Sequence, residues 1–370
     1  MRTRHRNWTV PGAAAAFLVC AGASAGFQPV YEIPSLGGLN TGAWTVNNAG
    51  QVGGWTRDGS NAAFPVLWED GVMTVLDIHP TRQAVIEDIN NNGELVGRLV
   101  GGGQPERGFY YSGGVTSLLE PASGNPNHWT TASGINDFGQ IVGSGQVDGP
   151  NEFQAYIWQA GTGSPTDSVP QISDVGAGFY AGHKINNSGQ ITGFHDSNIE
   201  PWIPWRGFTY DGTESVSLPV LGDDGSFSEA WGINDAGKIT GYSDTNLFFD
   251  TRAFLYDGDT MINLGTLGGN FSSGFAVNNL DWVVGDSSND AGDLRAFLWR
   301  DGVMMDLNDY VDPDSGWVLQ RARDVSDTGW VVGLGQLNGE PRGFVLYIPS
   351  PGTAAICMIG LLAGARRRRD

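Results

Sequence analysis

Cysteine is nearly absent: the 370 residues hold two, Cys20 and Cys357, one near each end. A disulfide framework inside the body of the chain is excluded, so stability there has to come from packing. Cations are scarce as well. Lys and Arg number 20 against 40 Asp and Glu, a formal charge of −20, which argues against nucleic acid, whose binding runs on cationic side chains. Only five His occur, and no Ser-His-Asp or metal-type His spacing is visible. No segment sustains a 3.6-residue apolar period, so helices should be few. Glycine, by contrast, is abundant: 56 residues, about 15% against an ordinary ~7%. There is no Gly-X-Y period, so the chain is not collagen-like, and 40% hydrophobic residues with 13 Trp exclude wholesale disorder.

The two ends read as addresses. Arg2, Arg4 and Arg6 precede an apolar run over residues 13–21, and Ala23 and Ala25 frame an A-x-A cleavage site, the pattern of a secretory signal read by signal peptidase. At the other end Pro349, Ser350, Pro351 and Gly352 precede an apolar run over 353–365 and four Arg at 366–369. Thirteen apolar residues are short for a span of about 20, and the Arg cluster would hold that end in the cytoplasm. Three parts are expected: a signal over 1–25, a core over 26–348 and a sorting or membrane-anchor segment over 349–370. The core, with 13 basic and 39 acidic residues, carries a formal −26.

Repetition dominates the core. A nine-residue phrase occurs seven times: VNNAGQVGG at 46–54, INNNGELVG at 89–97, INDFGQIVG at 135–143, INNSGQITG at 185–193, INDAGKITG at 233–241, VNNLDWVVG at 277–285 and VSDTGWVVG at 325–333. The apolar first residue ends a strand, and the Asn/Asp pair makes a turn by bonding local backbone. Gly in the fifth slot supplies the positive φ of a type I turn with a G1 bulge; Asp281 takes that slot in the sixth copy. An alternating strand follows and is expected to stop at the Gly that closes all seven phrases. A third strand carries residues such as 252–256 (RAFLY), 295–299 (RAFLW) and 342–346 (RGFVL), then a tight turn and a fourth strand. Four short antiparallel strands per ~45 residues, seven times over, predict an all-β seven-bladed β-propeller. The seventh copy lacks a fourth strand, and residues 31–36 resemble fourth-strand text. The N-terminal strand should therefore complete the last blade and close the ring.

The repeats, across roughly 31–348, resemble the extracellular HAF-repeat family, with its I-N-x-x-G, V-V-G and H-A-F-L-W elements. Arg107, Arg206, Arg252, Arg295 and Arg342 stand where His gives that family its name. The C-terminal tail resembles the PEP-CTERM sorting signal, with Ser350 in the place of the usual central Glu. These resemblances imply an exported, surface or extracellular repeat protein sorted by an exosortase-type membrane enzyme.

Binding residues are expected on the face of the variable loops, which a rigid scaffold presents. Trp202, Trp205 and His195 belong to the longest loop, and Trp129 and Trp317 to connections between blades. The five repeated Arg either grip anionic sugars bidentately or brace their own blades, the latter being favoured because a scaffold residue recurs with the scaffold. Asp286, Asp290 and Asp293 lie in an oxygen-rich loop that could hold Ca²⁺ but departs from a regular calcium loop; otherwise no cofactor is expected. Two positions before each repeat Asn, Asp88, Asp324 and Lys184 are the charged exceptions and the candidates for acid–base work. The expected function is non-enzymatic binding at the cell surface, with an envelope polysaccharide as the ligand class. The alternative is a carbohydrate-active enzyme, and the third reading is a structural matrix component.

Overall fold

The structure, a computed structural model, describes residues 27–147, 153–169, 179–196, 205–222, 227–245 and 250–349, with the backbone of Thr9–Val10. The expected signal sequence otherwise, Ser350, Pro351, Gly352 and the tail beyond them, and Trp202 lie outside the described residues. Seven antiparallel sheets of four strands surround one axis, making a seven-bladed β-propeller. The innermost strands are Gly37–Val46, Gln83–Ile89, Thr130–Ile135, Tyr180–Ile185, Ser228–Ile233, Gly268–Val277 and Trp317–Val325. Each ends on the apolar residue that opens a repeat phrase. Thr9–Val10 adds a two-residue strand to the outer edge of the first blade. No described helix is long and apolar enough to cross a membrane.

The ring closes as the repeat count requires. Val30–Glu32 pairs antiparallel with Glu340–Tyr347, placing Tyr31 opposite Val345. The closing strand is shorter than the 31–36 expected, because Leu36 already bridges to Asp58 of the first blade. Arg342 Nε donates to Glu32 Oε1 at 2.9 Å and fastens the seam.

The corner of each phrase is a turn of the expected kind. Gly50, Gly93, Gly139, Gly189, Gly237 and Gly329 all have positive φ, and Asp281 adopts φ 60° in the same slot. Two rings of Asn and Asp then join the blades. In the first, Asn47 Oδ1 accepts from the N–H of Ala49 and Gln51, holding its own turn, while its Nδ2 donates to Asn90 O of the next blade at 3.0 Å. The same handover passes through Asn90, Asn136, Asn186, Asn234 and Asn278 to Ser326 O. In the second, the backbone N–H of Asn48, Asn91, Asp137, Asn187, Asp235, Asn279 and Asp327 each donates to Oδ1 of the next member, and Asp327 returns to Asn48.

The closing Gly of each phrase does not end its strand, contrary to expectation: the second strands run on, as in Val52–Asp58 and Ile239–Asp244. Its cause is a β-bulge in the innermost strand, seen in all seven blades as a register break such as Ala230/Gly232. A Cβ on Gly241 would lie 1.9 Å from Glu229 O, and the other six Gly meet the equivalent carbonyl at 1.8–2.2 Å. On the third strand the same Gly faces Phe109, Phe208, Phe254, Phe297 or Phe344, all fully buried, each worth about 1.5–3 kcal/mol of burial.

Gly241→Ala is therefore expected to lower stability by about 3 kcal/mol, the upper end of overpacking costs, read as a fall in Tm. Asn186→Ala, which removes one link of the first ring and leaves the N–H groups of Ser188 and Gln190 without their acceptor, should cost about 1–3 kcal/mol in urea unfolding.

Candidate functional site

The bulge decides which side chains reach the axis. The extra residue it inserts sits three positions before the repeat Asn: Trp44, Glu87, Ser133, His183, Trp231, Phe275 and Arg323 in blades one to seven. No two neighbours share a chemistry except Trp231 and Phe275, in a scaffold that otherwise repeats itself. Six of the seven, with Trp55, Arg98 and Lys184, surround an axial cavity of ≈ 410 Å³ on the variable-loop face, and Ser133 completes the wall.

These residues bond round the ring. Trp44 Nε1 donates to Glu87 Oε2 at 3.1 Å, and Arg98 Nε stands 3.2 Å from Glu87 Oε1. The His183 ring stacks on Trp231 with centroids 4.2 Å apart, and Trp231 meets Phe275 edge-on at 6.2 Å. Arg323 Cζ lies 4.3 Å from the Phe275 centroid and 4.0 Å from that of Trp44, which joins the seventh blade back to the first. The small Ser133 interrupts the ring. There, through Thr131 and Ser133, the chamber adjoins a groove of ≈ 460 Å³ lined by Pro105, Glu106, Trp129 and Phe153.

Burial tunes the charges. It pulls the His183 imidazole down to about 4, so the ring is neutral at pH 7; Nδ1 faces Ala230 O at 3.0 Å and carries the proton. Burial pushes the Glu87 carboxyl up, against the pull of Arg98 and of the Trp44 hydrogen bond. It also pushes Asp286, beside Arg321 at 2.9 Å, up to about 6.

Asp88, Lys184 and Asp324 do come together, yet they are spent on one another and on backbone. Lys184 Nζ lies 2.5 Å from Asp88 Oδ1. Thr45 Oγ1 donates to both Asp88 and Asp324, and Ile135 N and Val46 N donate to them in turn. Burial alone would lower the Lys184 pKa, but Asp88 and Asp324 outweigh it and raise it. The set ties four blades across the axis and separates the chamber from a 150 Å³ depression inside the Asn rings.

The other candidates are dispersed. His195 is fully buried, with Nε2 2.7 Å from Ser217 Oγ. Trp317 stands opposite Leu337 at the loop end of its strand but is buried in the core between the sixth and seventh blades. Trp205 is 39% exposed on that face, edge-on to Phe194 at 5.9 Å, and Trp129 packs on Phe153 in the groove. The repeated Arg do not ring the axis. Arg107, Arg252 and Arg342 donate to Pro126 O, Asn270 O and Leu39 O ahead of the next blade; Arg295 pairs with Asp293 at 3.0 Å, and Arg206 is buried. Asp286 turns to Arg321 while Asp290 and Asp293 are exposed. Among the described residues no group of three or more His, Cys, Asp or Glu is placed to hold a metal.

No family model and no curated protein matches the chain. Solved structures of similar fold include an oligogalacturonate lyase from Vibrio parahaemolyticus, at 10% identity over 88% of this chain and 99% of that one, TM-score 0.58. An oligogalacturonate lyase in complex with manganese aligns at 13% identity over 84% and 90%, TM-score 0.56. The β-propeller domain of the Trilobed protease from Pyrococcus furiosus, of open velcro topology, aligns at 10% over 84% and 96%, TM-score 0.55. At these identities the likeness is one of fold.

Asp286 gives a pH signature. Its folded pKa of about 6 lies above the unfolded value of 3.8, so the native state binds this proton first, and the group's cost to stability is relieved as pH falls through 6. Between pH 7 and pH 5 the wild type should gain on the order of 1 kcal/mol relative to Asp286→Asn in urea unfolding; parallel pH dependences would contradict the assignment.

Proposed function

We propose that this protein is an exported propeller that binds a glycan chain in the axial chamber without cleaving it. The observation that carries the reading is the bulge ring itself, whose aromatic and hydrogen-bonding residues vary from blade to blade and converge on a single cavity. Aromatic walls with a few placed polar groups suit sugar rings, which present apolar faces and hydroxyl edges. The outlet at Ser133 suits an oligomer, one residue held on the axis and the next ones laid along Trp129 and Phe153.

The acids favour binding over turnover. Asp88, Glu87 and Asp286 each stand against a cation, and Asp324 is held by Thr45 and backbone. A second reading, a carbohydrate-active enzyme, has one specific support: a carboxyl raised by burial, Glu87, shares the chamber with a neutral imidazole, His183. That is the kind of divergence acid–base catalysis uses.

Export rests on the two terminal segments, with signal peptidase and an exosortase-type enzyme as processing partners and the cell surface or matrix as destination. Cleavage after Ala25 would also remove Thr9–Val10 and leave the first blade its four strands. Mass spectrometry of secreted material should find Gly26 as the N-terminus; a retained Met1 would contradict this.

A glycan array probed with the purified protein, with and without Ca²⁺, tests the binding reading. Saturable binding with intact ligand is expected, weakened at least about fivefold by Trp231→Ala, since loss of a stacked aromatic costs of the order of 1–3 kcal/mol. Ser133→Trp should weaken oligosaccharides while sparing single sugars. Released products on chromatography would overturn the non-enzymatic reading.

A further inference from the structure

One cation in the chamber makes no salt bridge or hydrogen bond among the described residues, and the carboxylates of Asp286, Glu87 and Asp324 act on it only at longer range. Of the other charged groups that line the chamber, Glu87 pairs with Arg98, Lys184 pairs with Asp88, and Asp324 is held by Thr45 Oγ1 and Val46 N. Arg323 lines the same cavity, and among the described residues its only contacts of a polar or aromatic kind are the two rings that flank it. Those rings come from the blades on either side, Phe275 from the sixth and Trp44 from the first, so the guanidinium lies between two aromatic rings. Stacked by both, it would offer a ligand only its edge, which carries the N–H donors.

This arrangement selects by shape. A planar carboxylate can approach in the plane of the guanidinium and accept two parallel hydrogen bonds. A tetrahedral sulfate or phosphate would have to push oxygens out of that plane into the indole and phenyl faces. Burial pulls the Arg323 pKa down to about 10 against the opposing pull of Asp286 and Glu87, which leaves it charged at neutral pH and poorly solvated. At longer range the core's formal −26 repels polyanions, and with screening over ~8 Å only a charge delivered to this point is favoured.

We propose that Arg323 is the specificity-determining residue of the chamber and reads the carboxylate of a single uronic-acid residue within an otherwise neutral glycan, its guanidinium held for in-plane bidentate contact between Trp44 and Phe275. This rests on the glycan-binding reading and adds the substrate class to it. The test is titration of the purified full chain with methyl glucuronide, its methyl ester, methyl glucoside 6-sulfate and methyl glucoside, followed by Trp fluorescence.

The acid should bind at least tenfold more tightly than the ester and the sulfate. Arg323→Met should bring the acid-to-ester affinity ratio to about one, whatever its effect on the affinity for neutral sugars, and Arg323→Lys should retain part of the preference. Near-UV circular dichroism and thermal melts establish that both variants fold; should Arg323→Met not fold, Arg323→Lys with the acid-to-ester ratio decides. Equal affinity for acid and ester, or a preference that survives Arg323→Met, overturns the role of Arg323 but leaves glycan binding standing. A preference for the sulfate overturns the in-plane carboxylate. Failure of every sugar to bind overturns both readings.

Discussion

Everything in this molecule hangs on one side chain used twice. The first Asn of each phrase spends its carbonyl oxygen on its own turn and its amide protons on the next blade. Only Asn among small side chains can do both, because Asp has no donor and Ser has too short a reach. The exception shows the rule: at Ser326 the hydroxyl accepts from Trp330 N and holds the turn, and the link to the first blade passes instead to Thr328, whose Oγ1 donates to Asn48 O. The second ring needs only an acceptor, so Asn and Asp both serve. Their order, with each Asp set between two Asn, lets Asp137, Asp235 and Asp327 each accept from both flanking amides and keeps like charges out of adjacent places.

A rigid ring at one end of the axis frees the other end to vary. The bulge that the closing Gly accommodates lifts one residue per blade out of the ladder, and that residue has no part in strand pairing. Seven such positions are therefore open to any chemistry, and Trp44, Glu87, Ser133, His183, Trp231, Phe275 and Arg323 occupy them. Between the two ends, Asp88, Lys184, Asp324 and Thr45 form a charged floor. Buried charges of this kind hold only when paired, and here the pairing also fixes blade against blade.

The repeat, the turn chemistry and the closure by the N-terminal strand were legible because each is local or periodic, whereas the closing Gly, read as a strand end, is instead the partner of a bulge and its strand runs on. Asn-x-x-Gly dictates its own backbone, and a missing fourth strand in the seventh copy demands one from elsewhere. The site was legible only in part. Looking two residues ahead of the repeat Asn finds Asp88, Lys184 and Asp324, which do converge, but strict strand alternation gives no reason to look at the third. The signal was present: a column holding seven residues of such different character stands out beside columns that repeat.

What the sequence alone determined is the unit and its number, since hydrogen-bonding capacity and φ preference are properties of individual residues. What the tertiary structure decided is which of the remaining residues meet. Blade packing buries Trp317 and His195 and leaves the repeated Arg bonded within or between blades. The one-residue slip at the bulge gathers Arg323, Trp44 and Phe275 from blades 231 to 279 residues apart in the chain, first blade to sixth and seventh. Contacts across a closed ring depend on where every blade stands, and no stretch of chain contains that information by itself.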